Sequence, residues 1–539
     1  MFREKAGGST EMESGTQMRI NELRKIKEAS ILGGGTEKIA KQHGKGKLTA
    51  RERIDRLLDP GSFVELNMLV GHAVGTPADG IVVGYGTIDG RTVCIYAQDA
   101  TVLGGSIGAL HGYKMYTTVE LALQMRVPVI GMLDSPGRRG LRLDSSLRVD
   151  QPGGVDMVKY REEKDGSSIF FPNTQASGII PQISAIMGSC AGIAVYSPAL
   201  TDFVFMIDKI SHMFITGPLI VKSVMGEDIT MEDLGGAKVH AQISGVASFR
   251  VKTEDECFNK MKKLLSFLPS NNSESPPWKD TGDDPNRCDD SLVEIVPTDS
   301  RKSYDMHRII EGIADNRDFL EVKAEFAQEI IVGFIRLGGY PVGVVANQPS
   351  VRAGSLTVNS SNKQARFIRF CDAFNIPIVL LVDTPAYMPG LEQEHGGIIT
   401  HGAKVLYALS EATVPRVAVM IRKAYGGGSL GMGVVPGMGT DFIFAWPIAE
   451  TGVMGAEQTV DLFYADEIAK AEKPQQLREQ LIKEYIDRYA NPFAEVSIRT
   501  HIKDIIEPRE TRRQLIKSLE LLRGKKVIRY PKKHGNIPL

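Results

Sequence analysis

The sequence contains the same pattern twice, and this internal repeat constrains the fold more than any other feature. Val82–Ala97 (V-V-G-Y-G-T-I-D-G-R-T-V-C-I-Y-A) resembles Ile331–Ala346 (I-V-G-F-I-R-L-G-G-Y-P-V-G-V-V-A), and equivalent positions, such as 82 and 331, differ by 249. The same spacing relates Gly105-Ser106 to Gly354-Ser355, Pro128 to Pro377, and Asp134-Ser135-Pro136 to Asp383-Thr384-Pro385. A further pair, Ile54–Leu66 and Ile310–Val322, is offset by 256 (54 and 310). Chance explains these separated matches poorly, so we predict that one domain is present twice.

Two apolar runs that break into glycines mark equivalent points of the two copies. They are Ile186–Ala194 (I-M-G-S-C-A-G-I-A) and Ile421–Met432 (I-R-K-A-Y-G-G-G-S-L-G-M). The pattern is typical of a buried strand that passes through a tight turn into a helix. Main-chain N–H groups are unpaired at such a turn, and the helix adds positive partial charge. We therefore predict that each run can hold an oxyanion.

Strands and helices alternate within each copy, which predicts an α/β fold with apolar strands in a helix-covered sheet. The loops after the second strand are D-S-P-G-R-R-G (134–140) and D-T-P-A-Y-M-P-G (383–390). Ligands in such folds bind at the carboxyl ends of strands. We therefore expect two loops to converge in each copy: Pro136–Arg138 with Cys190–Ile193, and Ala386-Tyr387 with Gly426–Gly428.

Beyond the aspartates the spacing falls to 234, which pairs Gly192 with Gly426. The difference, 249 minus 234, means that the first copy carries fifteen extra residues, which lie within 141–170. A lid over the site and a surface excursion are both consistent with this polar segment.

Composition limits the class of protein. The chain has 539 residues and a net charge of -1, so nothing in its charge favours nucleic acid. Its five cysteines are scattered without a C-x-x-C pair, which favours a reducing compartment and gives no reason to expect a metal. The apolar runs are too short to span a membrane, and the N-terminus lacks a signal-peptide h-region. We expect a cytoplasmic protein.

Domain boundaries follow from local composition. Residues 1–19 are polar and Gly/Ser-rich, which predicts a frayed tail, and Ser270–Asp290 is polar and Pro-bearing, which predicts a linker. The expected domains are therefore 20–290 and 291–539. The Lys/Arg-rich region Ile20–Leu58 fits either a solvated helix face or a basic collar for the phosphates of a cofactor.

Two N–H-lined turns without an obvious nucleophile suit enzymes that form an enolate from an acyl thioester. Serine-hydrolase, P-loop and dinucleotide-binding motifs are missing. Cys190 is either a nucleophilic thiol or a small buried side chain before its turn. Acid/base and structural roles both remain open for the following residues: Asp134, Asp383, Glu394, His395 and His401.

Many stretches also resemble one family, the carboxyltransferase (β) subunits of biotin-dependent acyl-CoA carboxylases, especially the propionyl-CoA carboxylase type. The resemblance runs from about residue 20 to the end. The matching stretches include K-L-T-A-R-E-R-I-D-R-L-L-D-P-G-S-F-V-E (47–65), Q-D-A-T-V-L-G-G-S (98–106), Y-S-P-A-L-T-D (196–202), F-I-T-G-P (214–218), G-G-I-I-T-H-G-A-K (396–404), R-K-A-Y-G-G (422–427) and the closing K-K-H-G-N-I-P-L.

The resemblance implies two tandem crotonase-like domains of the ClpP/crotonase superfamily, related by duplication. It also implies a hexamer with active sites between protomers, and partners that carry biotin: a biotin carboxylase and a biotin carrier protein. The N-terminal domain would bind acyl-CoA and hold the thioester oxygen on the main-chain amides of Gly192, Ile193, Gly137 and Arg138. The C-terminal domain would hold the ureido oxygen of biotin on those of Gly427, Gly428, Ala386 and Tyr387.

Departures from the family pattern lie at the expected site. Ser135–Arg139 stands where S-G-G-A-R is usual, Ile193 replaces a glycine, and Leu430 makes the substrate pocket more apolar. Arginines of the 134–140 loop and of the insert, among them Arg139 and Arg142, could bind a distal carboxylate of the substrate or could simply be solvated.

Four functions remain open. The first is transfer of CO₂ between N1-carboxybiotin and a propionyl-CoA- or acetyl-CoA-like substrate, and the second is decarboxylation of glutaconyl-CoA or methylmalonyl-CoA. The third is a biotin-independent enoyl-CoA hydratase or isomerase, and the fourth is a non-catalytic scaffold.

Overall fold

Each half of the chain is built on one mixed β-sheet with helices packed against it. The computed structural model describes residues 15–139, 169–299, 301–498 and 500–539. The strands of the first half are β1 (Val64–Leu66), β2 (Ile81–Ile88), β3 (Arg91–Gln98), β4 (Val129–Leu133), β5 (Gln182–Ile186), β6 (Ser189–Ala191), β7 (Phe203–Ile207), β8 (His212–Phe214) and β9 (Phe249–Val251). Those of the second half are β10 (Leu320–Val322), β11 (Ile330–Leu337), β12 (Tyr340–Asn347), β13 (Ile378–Thr384), β14 (Arg416–Tyr425), β15 (Phe442–Ala445), β16 (Glu450–Gly452) and β17 (Ile502–Ile505).

Helices fill most of the connections between these strands. In the first half they are α1 (Gly15–Ile31), α2 (Thr36–His43), α3 (Ala50–Leu57), α4 (Ala109–Met125), α5 (Phe170–Ala176), α6 (Ile193–Leu200), α7 (Pro218–Met225), α8 (Met231–Gly235), α9 (Ala237–Gln242) and α10 (Glu254–Phe267). In the second half they are α11 (Ser291–Ile295), α12 (His307–Ile313), α13 (Val358–Ala373), α14 (Leu391–His395), α15 (Ile398–Glu411), α16 (Gly426–Gly431), α17 (Ala456–Phe463), α18 (Ala465–Lys470), α19 (Pro474–Tyr485), α20 (Pro492–Ile498) and α21 (Thr511–Leu522).

The two sheets have the same topology. Their strand orders are β1-β2-β3-β4-β5-β7-β9 and β10-β11-β12-β13-β14-β15-β17. In each sheet the first two pairings are antiparallel and the remaining four are parallel. The central strands β4 and β13 are buried along their whole length, which explains why their sequences are apolar runs without alternation.

The register confirms the predicted duplication residue by residue. Val82 pairs with Ala97 in the first sheet, and their counterparts Ile331 and Ala346 pair in the second. Further along, Val129 pairs with Gln182 where Ile378 pairs with Arg416, which reproduces the change in spacing from 249 to 234.

One local difference separates the copies. In the first half, β5 ends at Ile186, and the short strand β6 pairs with β8 as a separate two-stranded ribbon. In the second half, β14 runs through the equivalent region unbroken, and its last residues pair with β16. Both arrangements lead directly into the glycine turns.

The halves share one hydrophobic core. Phe203 of β7 packs edge-to-face against Phe370 of α13 at a ring-centroid distance of 4.7 Å, and it also contacts Phe334 of β11. At the rim of this interface, Arg250 bridges Asp208 of its own half and Glu325 of the other.

The structure describes only part of the N-terminal segment and of the 141–170 insert. Residues 15–19, assigned from composition to a frayed tail, belong to the first turns of α1, where Arg19 pairs with Glu22 at helical spacing. Residues 1–14 lie outside the described residues, and so does most of the 141–170 insert. Its end is visible, because Phe170 begins α5.

Candidate active site

The glycine turn of the first half leads from β6 into α6. Gly192 has φ 58° and ψ -126°, and Ile193 is the first helical residue. The Gly192 N–H donates to the carbonyl oxygens of Phe214 and Ile215, both at 3.1 Å. The prediction that Gly192 offers its own amide is therefore wrong, because β8 lies alongside β6 and extends its pairing past the strand end. The amides of Ile193 and Ala194, in the first turn of α6, have no acceptor among the described residues.

The companion loop contributes one amide rather than two. The Gly137 N–H donates to Ser135 Oγ at 3.2 Å, so Gly137 does not provide the expected free donor. Ile107 donates to the Gly137 carbonyl at 2.8 Å, and Arg139 donates back to the Ile107 carbonyl at 2.8 Å. This bridge holds the peptide of Arg138, whose N–H has no acceptor within the described part of the chain.

The two loops of the first half converge as predicted. Gly137 has φ +102°, and a Cβ added there would lie 2.5 Å from the Ala191 carbonyl oxygen and 3.9 Å from the Ile193 nitrogen. Only glycine allows this backbone conformation and this close approach together. The contact places the amides of Arg138 and Ile193 at one junction.

The second half repeats this junction, and more of its main-chain amides are left without an acceptor. The Leu356 N–H donates to the Ala386 carbonyl at 3.0 Å, and the Met388 N–H donates back to the Leu356 carbonyl at 2.7 Å. This bridge holds the peptide of Tyr387 in the same way as the bridge around Arg138 in the first half. Gly427 and Gly428 lie in the first turn of α16. Their amides, and those of Ala386 and Tyr387, have no acceptor among the residues that the structure describes.

The glycines of α16 allow the Tyr387 ring to pack against that helix. A Cβ on Gly427 would lie 3.2 Å from Tyr387 Cδ2, and one on Gly431 would lie 2.7 Å from the Tyr387 hydroxyl oxygen. A Cβ on Gly428 would lie 3.3 Å from Ala386 Cα. The loop and the helix therefore converge in this half as well. Burial raises the pKa of Tyr387 to about 12, so the phenol is neutral at physiological pH.

A cavity of about 740 Å³ opens beside this second junction. Gly426, Gly427, Ser429 and Leu430 line it, together with side chains further along the chain that include Tyr485, Arg488 and His501. The structure therefore places Leu430 beside a cavity that the glycine turn also lines.

The arginines near the first junction have different environments. Arg138 is exposed. The Arg139 guanidinium bonds Asp79 at 2.9 Å, and also the hydroxyl and the carbonyl of Ser106. Because the buried Asp79 carboxylate holds it, Arg139 anchors its loop rather than presenting a free cation to substrate, which corrects that expectation. Arg142 lies outside the described residues.

The two loop aspartates are anchors rather than free acid/base groups. Asp134 pairs with Lys47 at 2.6 Å and with Arg53 at 3.3 Å. Asp383 accepts from Arg422 Nε at 3.1 Å and from the Tyr304 hydroxyl at 2.9 Å. Lys47 and Arg53 belong to the Lys/Arg-rich region 20–58, so part of that region forms buried ion pairs instead of a solvated face or a collar.

The other candidates for acid/base or nucleophilic chemistry also have structural environments. Burial raises the pKa of Cys190 to about 12, which suits a buried thiol and not a thiolate nucleophile. His401 Nδ1 lies 2.8 Å from Asn362 Oδ1, and burial lowers the pKa of His401. Glu394 and His395 are exposed on the short helix α14.

Sequence reasoning missed polar residues that support the two junctions. Gln98 accepts a hydrogen bond from the Asp134 amide at 2.9 Å, and Asn347 accepts one from the Asp383 amide at 3.1 Å. Gln98 and Asn347 differ by 249, so comparing polar residues across the repeat could have found them.

A second missed group lies behind the Gly192 turn. Ser189 Oγ is 3.1 Å from His212 Nδ1, and His212 Nε2 is 2.9 Å from Glu232, which links β6, β8 and α8. The repeat gives no signal for this group, because Lys423 and Glu450 replace the Ser189–His212 pair in the second copy.

Metal clusters and membrane-spanning helices are both absent from the described residues. These residues contain no group of three or more His, Cys, Asp and Glu side chains arranged to hold a metal ion. None of their helices combines the length and the apolar character that crossing a membrane requires.

Comparison with known proteins identifies the family. The carboxyl transferase domain family matches residues 41–537. The propionyl-CoA carboxylase carboxyltransferase subunit of Haloferax mediterranei is 48% identical, with 97% of this chain and 99% of that protein covered. The methylmalonyl-CoA decarboxylase subunit alpha of Veillonella parvula is also 48% identical, with coverages of 94% and 96%.

Solved structures agree with the sequence comparison. A crystal structure of transcarboxylase 12S, reported as a hexamer with methylmalonyl-coenzyme A bound, matches 99% of this chain and 100% of its own at a TM-score of 0.90 and 43% identity. The predicted α/β fold of two tandem crotonase-like domains is thus confirmed. The chain belongs to the carboxyl transferase domain family, and it is a carboxyltransferase of the biotin-dependent acyl-CoA carboxylase type.

Proposed function

We propose that this chain transfers a carboxyl group between N1-carboxybiotin, carried by a partner protein, and the α-carbon of a short acyl-CoA such as propionyl-CoA. The amides of Ile193, Ala194 and Arg138 would hold the thioester oxygen of the substrate. The amides of Gly427, Gly428 and Tyr387 would hold the ureido oxygen of biotin, with Ala386 completing that turn.

One observation carries the proposal: each copy of the domain brings unpaired main-chain amides from two loops to one junction. Fixed N–H dipoles stabilise developing negative charge without reorganising, and each is worth about 3 kcal/mol in an oxyanion hole. In the first half that charge develops on the thioester oxygen as an enolate forms.

The second junction suits biotin, because Gly427, whose amide has no described acceptor, lines a cavity of about 740 Å³ with both polar and apolar residues. When bound as carboxybiotin, the group supplies CO₂ and, after losing it, a base for the substrate α-proton. The loop carboxylates Asp134 and Asp383 are held in ion pairs and are not free to act as that base, which is consistent with biotin supplying it.

Decarboxylation of a substrate such as methylmalonyl-CoA is the second candidate. Close similarity to decarboxylase subunits of Veillonella parvula and Propionigenium modestum favours it. The same amides serve both directions, because a site that stabilises the enolate lowers the barrier from either side. The biotin-bearing partner and the energy source coupled to it would then set the direction in the cell.

We also propose a cytoplasmic homo-hexamer that works with a biotin carboxylase and a biotin carrier protein. Large apolar side chains support an assembly, since Leu219 of α7 is 85% exposed and Phe463 of α17 is 70% exposed. Light scattering of the purified chain tests this part, and a monomer that is fully active would contradict it.

The decisive experiment uses free biotin as the carboxyl acceptor. Purified protein is mixed with biotin and methylmalonyl-CoA or malonyl-CoA, and biotin-dependent formation of the decarboxylated acyl-CoA is measured. Turnover of an enoyl-CoA without biotin would instead support a hydratase or isomerase, and no turnover of any ester would support a scaffold.

A matched pair of variants tests the acyl-side amide. Ile193 is the first residue of α6, where proline is tolerated but removes the N–H. Ile193→Pro is expected to lower kcat by about 10²–10³-fold. Ile193→Ala keeps the N–H and removes only the side chain, so it serves as the control. Equal kcat values for the two variants would contradict the assignment of this amide.

A further inference from the structure

A second cavity, of about 390 Å³, lies where the two halves meet and has no role in the proposed carboxyl transfer. Its walls come from β2 and β3 of the first sheet, from the end of α10, from the 277–279 segment and from β11 of the second sheet. Most of its surface is apolar, and Trp278 forms part of the rim.

The charged side chains around this cavity are unbalanced. Arg91, Lys279 and Arg336 contribute three positive charges, whereas Asp89 contributes the single negative charge of the lining. Among the described residues, neither arginine forms an ion pair with a carboxylate. Burial lowers the pKa of both Arg91 and Arg336, and nearby carboxylates such as Asp89 offset this effect only in part.

Arg336 is the more buried of the two arginines. Its guanidinium donates to the main-chain carbonyl oxygens of Pro277 at 2.8 Å, Gly339 at 2.7 Å and Ser266 at 2.6 Å. These acceptors are neutral, and the nearby carboxylates of Asp315 and Asp318 act on the guanidinium without forming an ion pair with it. The guanidinium also lies 5.1 Å from the centroid of the Phe267 ring.

Arg91 has fewer acceptors. It donates to the Leu265 carbonyl at 2.8 Å and to Ser270 Oγ at 3.3 Å, which leaves further N–H groups available. Arg53, Arg422 and Arg512 show the usual arrangement in this chain, since each is buried against a carboxylate. Arg416 also lacks an ion pair and, like Arg336, donates to main-chain carbonyl oxygens, such as those of Leu409 and Gly439, but it does not line this cavity.

Buried charges in proteins are normally paired, because desolvating an unpaired charge is costly. We propose that this cavity binds a small organic anion, a carboxylate with a compact apolar body. The carboxylate would lie between Arg91 and Arg336, whose planar guanidinium groups suit it, and the body would contact the apolar wall and Trp278.

Such a ligand would contact both halves of the chain. Arg91 belongs to the first sheet and Arg336 to the second, so binding favours the state in which the halves are docked. A ligand that binds only this state raises the melting temperature as its concentration passes Kd.

Tryptophan fluorescence provides a direct readout. The chain has two tryptophans, Trp278 at this cavity and the fully buried Trp446, which donates to Thr511. Hexanoate is the probe, and we expect a saturable change in emission together with a higher melting temperature. Three control compounds separate the contributions of the alkyl chain and the charge. Hexan-1-ol has the alkyl chain without a charge, hexylamine carries the opposite charge, and inorganic phosphate has negative charge without an alkyl chain. Binding of any of these as tightly as hexanoate would overturn the proposal.

Variants locate the response. Arg91→Met is expected to weaken hexanoate binding at least tenfold, and Lys279→Met less, whereas Arg301→Met, a highly exposed arginine elsewhere, leaves it unchanged. Trp278→Phe is expected to lose the fluorescence change but to keep the rise in melting temperature. Because Arg336→Met could prevent folding, the conclusion depends on Arg91 and Lys279. Unchanged hexanoate affinity in Arg91→Met, or no response of the wild-type chain to hexanoate, would refute the site.

Discussion

Single residues decide which main-chain amides remain available at the two junctions. Gly192 and Ile193 are neighbours, yet the amide of the first is held by β8 and that of the second is unpaired among the described residues. A similar residue-level difference distinguishes the two copies at α3 and α12. Arg51 pairs with Glu65 in the first copy, and His307 lies 2.9 Å from Glu321 in the second. Both pairs obey the offset of 256, so the second copy has a titratable residue where the first has a permanent cation.

His307 makes the stability of the second half depend on pH. Its hydrogen bond to Glu321, opposed by partial burial and aided by Asp305, raises the pKa of His307 to about 9. A pKa above the unfolded value of about 6.5 means that the stabilisation is complete below pH 6.5, declines as pH rises and is lost above pH 9. We expect a loss on the order of 2 kcal/mol across this window, allowing for partial exposure.

Replacing His307 with arginine, the residue at the equivalent position of the first copy, tests whether His307 causes this pH dependence. His307→Arg is expected to remove most of the decline between pH 6.5 and 9 in denaturant unfolding experiments, since arginine keeps its charge. His307→Gln lacks the charge at every pH and is expected to be less stable at pH 6.5. A decline of the same size in His307→Arg would show that another group is responsible.

At the scale of elements, each copy has a buried lysine that donates hydrogen bonds to carbonyl oxygens in and next to the turn that precedes β2 or β11. Lys114 of α4 donates to the carbonyl oxygens of Ala78 and Ile81, at 2.9 and 2.6 Å. Lys363 of α13, 249 positions later, donates to those of Phe326 and Ile330, at 2.8 and 2.7 Å. Burial lowers the pKa of each lysine to about 8. Helix and strand are thus joined by a polar contact that apolar periodicity does not reveal.

Removing this contact leaves buried carbonyl groups without donors. We expect Lys363→Met to lower the free energy of unfolding by about 2–4 kcal/mol, since each orphaned buried acceptor costs about 1–3 kcal/mol. Lys25→Met, on the exposed face of α1, is the matched control and is expected to change stability by less than about 0.5 kcal/mol. Urea unfolding followed by circular dichroism measures both, and equal effects would contradict the proposed role of Lys363.

At the scale of the whole molecule, the two halves fold against each other. Phe203 is buried between the sheets and contacts rings that belong to the other half. Because both junctions stand on sheets that share this core, weakening it is expected to affect both junctions together.

Truncating Phe203 tests whether the halves behave as one cooperative unit. Phe203→Ala is expected to lower the free energy of unfolding by about 3–5 kcal/mol, the usual cost of deleting a buried aromatic ring. Differential scanning calorimetry is expected to show a single transition at a lower temperature. Phe493→Ala, at a ring that is 61% exposed, is the control. Two separate transitions in the wild-type chain would contradict a shared core.

Much of the fold was predictable because duplication leaves a register in the sequence. Pro128 and Pro377, and Asp134 and Asp383, lie at equivalent points of the two sheets, as their spacing of 249 predicted. Resemblance to a known family supplied the class of chemistry. The convergence of residues 134–139 with the Gly192 turn, and of the 383–390 loop with α16, was also predicted correctly, since carboxyl ends of parallel strands meet at one edge of a sheet.

The sequence by itself therefore determined the doubled α/β architecture and the two turns at which the chemistry is expected. Tertiary structure alone decided which amides stay unpaired, because the hydrogen bonds of Gly192 to β8, and of Gly137 to Ser135, depend on strands and side chains packing in space. It also decided that Arg139 anchors its loop, and that Arg91 and Arg336 line one cavity without an ion pair to any described carboxylate. Ion pairs between distant segments depend on their distance in space, which spacing along the chain does not specify.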